Sequence, residues 1–178
     1  MDKRLTAQQA VAMFEKSGKK HFLITGDRQV GKTTLFNQII EMYAGENGVL
    51  PGLTSRMIPG KYVILQENGT ENWGKIGVYC PEKATIGKTM IPDSDGFITV
   101  GIPVLKKAMA CAGQWVSIDE LGFLEIRDEA FLQMVLQLFE EKRVIAVIRK
   151  QKNVEFLERM ISREDAFVLD LDAYYEKD

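Results

Sequence analysis

Apolar residues follow two alternating rhythms along this chain. The first is the 3.6-residue period of helices that bury one face. Ala7, Ala10, Val11 and Phe14 share one stripe, and Thr6 with Gln9 makes a capping-box pair, so a helix is predicted over residues 6–17, stopping at Gly18. Leu35, Phe36, Ile39, Ile40 and Tyr43 mark a second helix over 34–43. Phe131, Val135, Leu138 and Phe139 mark another over 129–142, with Asp128 placed to cap it. The same periodicity covers residues 100–112, with Pro103 in the first turn, where its missing N–H costs nothing, and residues 153–161.

The second rhythm is the short unbroken apolar run of a strand buried on both faces. It occurs at residues 21–25, 115–118, 143–148 and 166–169. Strand and helix alternate, which predicts an α/β fold with a mostly parallel sheet and helices on both faces. Residues 46–96 interrupt that alternation and hold four of the chain's five prolines. Within them, runs 61–67 and 73–79 flank Asn68-Gly69, the signal of an antiparallel hairpin. Residues 86–96 read as an exposed loop. Residues 1–178 then read as a single domain, with an N-terminal helix in 1–20 and a β-rich insertion at 46–96.

The chemistry begins where the first strand ends. Gly26-Asp27-Arg28-Gln29-Val30-Gly31-Lys32-Thr33 fits the phosphate-binding pattern G-x-x-x-x-G-K-[ST] at every position. Glycines let the backbone curl until its N–H groups face phosphate oxygens, and the following helix adds its positive end. Lys32 would reach the β- and γ-phosphates, the Thr33 hydroxyl would ligate Mg²⁺, and Thr34 continues the cradle. Strand, loop and helix fall in the order this motif requires.

A second signal lies 87 residues beyond Lys32, where the run Trp115-Val116-Ser117-Ile118 ends in Asp119-Glu120. An acid at the carboxyl end of a buried parallel strand faces the ligand crevice of an open α/β sheet. Asp119 is the candidate for organising Mg²⁺, and Glu120 the candidate base for the attacking water. The guanine-reading pattern [NT]-K-x-D is absent, so no base is specified by motif.

Composition narrows the partners. With 46% hydrophobic and 27% charged residues and a net charge of −2, the chain gives no reason to expect nucleic-acid binding. No run of about 18 apolar residues predicts a membrane span, and no signal peptide is apparent, so a cytoplasmic location is expected. Cys80 and Cys111 lack a C-x-x-C partner and read as buried free thiols. His21, the only histidine, reads as a strand-entry residue.

Four stretches together resemble a known family. Thr25-Gly26 through Thr33-Thr34, Gly52-Leu53-Thr54-Ser55-Arg56, Gly77-Val78 and Ile118-Asp119-Glu120-Leu121-Gly122-Phe123-Leu124-Glu125 are similar to the small nucleoside-triphosphatases first described in thermophiles and as a cancer-related homologue. The likeness spans about residues 20–172 and omits the N-terminal helix. It implies a RecA-like α/β core and slow, Mg²⁺-dependent hydrolysis of ATP and, with broad base tolerance, of GTP, CTP and UTP. Two places depart from the family pattern: Arg149-Lys150 stands where His-Arg is usual, and Met57-Ile58-Pro59 follows Arg56.

Arg28, Arg56 and Arg149 are candidates for neutralising charge on the transferred phosphoryl group. Glu125 reads either as support for the acids before it or as a surface acid. Two other functions share the same loop: a nucleotide or small-molecule kinase whose acceptor would sit on residues 46–96, and a nucleotide-gated switch.

Overall fold

The computed structural model of the chain describes residues 4–83, 90–122 and 128–176. Its elements run α1 (Ala7–Ser17), β1 (His21–Thr25), α2 (Lys32–Ala44), β2 (Gly52–Ile58), β3 (Tyr62–Glu67), β4 (Trp73–Tyr79), β5 (Met90–Pro92), α3 (Ile102–Ala110), β6 (Trp115–Leu121), α4 (Glu129–Glu141), β7 (Arg143–Ile148), α5 (Glu155–Ile161), β8 (Ala166–Asp170) and α6 (Leu171–Tyr175). Among the described residues the strands form one sheet in the order β5-β4-β3-β2-β6-β7-β1-β8. β2, β6, β7, β1 and β8 are parallel neighbours. β3, β4 and β5 continue the same sheet antiparallel.

Strand alternation divides the core between the two faces. Leu23, Ala146, Ile148, Val116 and Ile118 pack with residues of α3, α4 and α5 on one side. Phe22, Ile24, Ile145 and Val147 pack with α1 and α2 on the other. α1 begins at the predicted box: Thr6 and Gln9 exchange both capping bonds, and Gly18 ends the helix at φ 65°. Phe14 of α1 stacks on Phe22 of β1 with centroids 4.9 Å apart, which fixes the N-terminal helix to the sheet.

The expected hairpin forms as β3–β4, but as a continuation of the main sheet. Strand β2 makes the join, parallel to β6 on one side and antiparallel to β3 on the other. Gly52 (φ 137°) permits that join, since a Cβ there would fall on the Ser117 carbonyl oxygen. β2 carries no unbroken apolar run, so its period gave no strand signal.

The exposed loop expected at 86–96 is corrected in part. Residues 84–89 lie outside the described residues, while Met90–Pro92 pair with β4 as an edge strand. A helical path begins at residue 95 and runs through a π turn at Phe97–Gly101 into α3. Ile102 N–H donates to the Phe97 carbonyl, and Phe97 and Val100 are buried. This wider turn precedes Pro103, which cannot donate to a carbonyl one turn back. The short helix α6 has no sequence prediction to match. Both cysteines are free thiols and half-buried rather than buried. Among the described residues no helix is long and apolar enough to cross a membrane.

Candidate active site

The carboxyl ends of β1, β6, β7 and β8 lie along one edge of the sheet, where an open α/β fold places its ligand crevice. A groove of about 1100 Å³ opens there. Gly26, Asp27, Arg28, Gln29, Gly31, Lys32, Thr33 and Thr34 line one side, Glu120, Arg149, Lys150 and Gln151 another, and Met57, Val63, Tyr79 and Met90 an apolar wall. Only Val30 of the loop turns away, packing against the α1–α2 core.

The loop is held in a tight curl. Gly26 has φ 146°, Gly31 has φ 103°, and Gln29 takes the left-handed conformation at φ 63°. A Cβ on Gly26 would come within 2.9 Å of the Val30 side chain, so the first glycine is required by space as well as by dihedral. The Lys32 ammonium donates to the Gly26 carbonyl at 2.8 Å and the Asp27 carbonyl at 2.6 Å, folding over the concavity that its loop encloses. Burial lowers its pKa, against the opposing charges of Glu120, Asp172 and Asp27.

Asp119 and Glu120 are aimed differently by a bulge in β6. Asp119 registers with Val147 and Leu121 with Ile148, so Glu120 is the residue the ladder skips. Asp119 therefore keeps the α2 side of the sheet, Leu121 turns to the opposite core, and Glu120 projects into the groove. The Asp119 side of the pair is deeply placed, with the residue only 8% exposed. Burial, then the neighbouring Glu120 charge, pushes its carboxyl up to about 6, while Lys32 opposes the shift. The sequence placed both acids at the strand end; the bulge that separates their directions has no sequence signal.

Of the three arginines, Arg28 and Arg149 line the groove and Arg56 does not. Arg56 is exposed and donates to Gln66 Oε1 at 3.1 Å. Glu125 lies outside the described residues. Sequence reading missed Asp172, whose carboxylate accepts the Asp27 backbone N–H at 2.8 Å. Lys150 holds that carboxylate at 2.9 Å and also donates to Asp170 at 3.0 Å. Burial pushes Asp172 up, yet the Lys150 and Asp27 hydrogen bonds keep its pKa low. The Asp170-Leu171-Asp172 sequence at a strand end was the available signal.

A phosphate loop opening a helix after a parallel strand, faced by acids from a nearby strand, defines an α/β protein of the phosphate-loop class. A family model described as NTPase matches residues 21–175, and the chain belongs to that family. It is 26% identical over 168 residues to the mouse cancer-related nucleoside-triphosphatase homolog, covering 85% of this chain and 88% of that protein. It is likewise 26% identical over 160 residues to nucleoside-triphosphatase THEP1 of Thermotoga sp. strain RQ2, covering 84% of each. The crystal structure of THEP1 from Aquifex aeolicus superposes with a TM-score of 0.69 at 21% identity, covering 88% of this chain and 95% of that one. The solution structure of a human cancer-related nucleoside triphosphatase gives 0.65 at 20%, covering 89% and 96%.

Proposed function

We propose that this chain, a nucleoside-triphosphatase by family, hydrolyses nucleoside triphosphates to diphosphate and phosphate in the groove, with Mg²⁺ and without strict base preference. The observation that carries this reading is the convergence of Lys32, Glu120 and Arg149 on the concavity of loop 26–34. Backbone N–H groups of the loop and Lys32 bind the β- and γ-phosphates. Glu120 takes a proton from water as the water oxygen bonds to the γ-phosphorus and the bond to the β-phosphate oxygen breaks. Arg149, and Arg28 at the rim, offset the charge spreading over the γ-oxygens.

The residues present fit Mg²⁺. Asp119 is almost wholly buried at the end of β6, and Thr33 lines the groove beside Lys32. These are hard oxygen ligands of the kind Mg²⁺ takes sparingly, keeping water and phosphate for its other positions. Bound there, the ion would neutralise β/γ charge.

Near-neutral net charge supports small nucleotides rather than nucleic acid as partners. Phosphate release from ATP, GTP, CTP and UTP, each with Mg²⁺ and with EDTA, tests the reading. Release from several bases, lost in EDTA, is expected; strict dependence on one base or full rates in EDTA would oppose it.

One observation favours a second reading, a kinase. Met57 near the end of β2, with Val63, Tyr79 and Met90 of the antiparallel strands, lines the same groove as the phosphate loop. An acceptor hydroxyl resting there could replace water. Phosphorylated product on adding candidate acceptors would support it.

A further inference from the structure

We propose that the cavity on the α1 side of the phosphate loop receives the nucleoside of the bound nucleotide, with α1 as its outer wall. This rests on the reading of loop 26–34 as a triphosphate site. The cavity measures about 980 Å³ and lies between the start of α1, the exposed side of α2 and Tyr175 of α6. That volume is within the range of small-molecule pockets.

Gln29, Gly31 and Thr34 border both this cavity and the groove, so the loop is the partition between them. Lys32, Thr33, Glu120 and Arg149 border the groove alone. The β- and γ-phosphates belong beside Lys32 and the metal beside Thr33. The α-phosphate end of the chain then passes Thr34, and whatever it carries enters the second cavity.

The lining suits a base and ribose. Val30, Met42 and Tyr175 supply apolar surface for flat faces. Gln8 on α1 and Gln38 on α2 supply amides, each both donor and acceptor and able to reverse by a flip. Two reversible amides can meet the polar edges of different bases, which agrees with broad base tolerance. The wall is firm: Leu5 and Ala7 are buried in one cluster with Leu35, and the capping box fixes the first turn of α1. Residues 6–17 precede the part of the chain that the family model matches, so this wall lies outside the matched region.

The test is calorimetric titration of ADP and of pyrophosphate, both with Mg²⁺, into the parent and into Gln8→Trp and Gln38→Trp. Both positions are exposed and border the cavity, so an indole at either intrudes on the space proposed for the nucleoside. Parent affinity for ADP should exceed that for pyrophosphate by about tenfold or more. Each variant should lose that advantage with pyrophosphate binding unchanged, which also reports an intact fold. An undiminished preference for ADP in both variants would overturn the nucleoside site alone. Equal losses for both ligands would overturn it too, assigning these positions to the phosphate loop. A parent that binds neither ligand would overturn the phosphate site itself.

Discussion

The Glu120 carboxylate lies 3.9 Å from Arg149 Nε, an ion pair without a hydrogen bond, on one side of the groove at the ends of the adjacent strands β6 and β7. The β6 bulge brings Glu120 to that position, and the end of β7 brings Arg149. A pair this loose leaves both groups available, one to a water and the other to a phosphoryl oxygen.

Glu120→Gln keeps size and hydrogen bonding but cannot take a proton. Its kcat should fall by roughly 10²- to 10⁴-fold, the range for losing a general base, with nucleotide affinity nearly intact. Arg149→Ala should lower kcat by about 10- to 100-fold, equivalent to one charge-assisted contact. Arg56→Ala should cost far less, because Gln66 holds that side chain outside the groove. Steady-state kcat and KM at saturating Mg²⁺ check all three. Unchanged kcat in Glu120→Gln would remove it as the base.

Stability should carry an acid limb set by His21. The imidazole is fully buried, its Nδ1 accepts the Val144 N–H at 3.2 Å, and it packs on Phe139. Burial lowers its pKa from 6.5 to about 4, despite the nearby Asp165 carboxylate. Between those values the unfolded chain binds a proton that the folded chain refuses, so stability falls as pH drops through that window. The His21 contribution to that loss should total about 3 kcal/mol by pH 4 and be absent above pH 7, partly offset in the parent by Asp119, whose carboxyl, raised to about 6, favours the folded state as pH falls. His21→Asn retains an acceptor for Val144 and should flatten this limb. Urea unfolding of both proteins from pH 4 to 7.5 measures the difference; equal slopes would contradict it.

The join between the two halves of the sheet should tolerate no side chain. Gly52→Ala places a methyl on the Ser117 carbonyl oxygen and should destabilise by about 2–4 kcal/mol through displaced β2–β6 pairing. Gly113→Ala, with open space around it, should be close to neutral. Denaturant midpoints of the two variants decide it.

Periodicity and caps made the parallel half of the fold legible, because each helix has one apolar face and each strand is buried on both. Thr6, Gly18 and Asp128 even marked helix ends. β2 was not legible, since Thr54, Ser55 and Arg56 lie half-exposed or exposed where it pairs. The loop residues and both strand-end acids were legible from local order alone. Asp172, Lys150 and the Gln8–Gln38 cavity depend on contacts between segments far apart in sequence, which no local pattern encodes. The Arg56 and Arg149 alternatives separated for the same reason: only the folded chain turns one to Gln66 and the other to the groove.

The most direct test of triphosphate hydrolysis at loop 26–34 is phosphate release from Mg²⁺·ATP by the parent and by Lys32→Ala, measured side by side. The parent should turn over. The variant should fall to background and bind triphosphate more weakly by about 1.5–3 kcal/mol, the value of a charge-assisted contact, with unfolding unchanged. Phosphate release by Lys32→Ala at the parent rate would contradict hydrolysis at this loop.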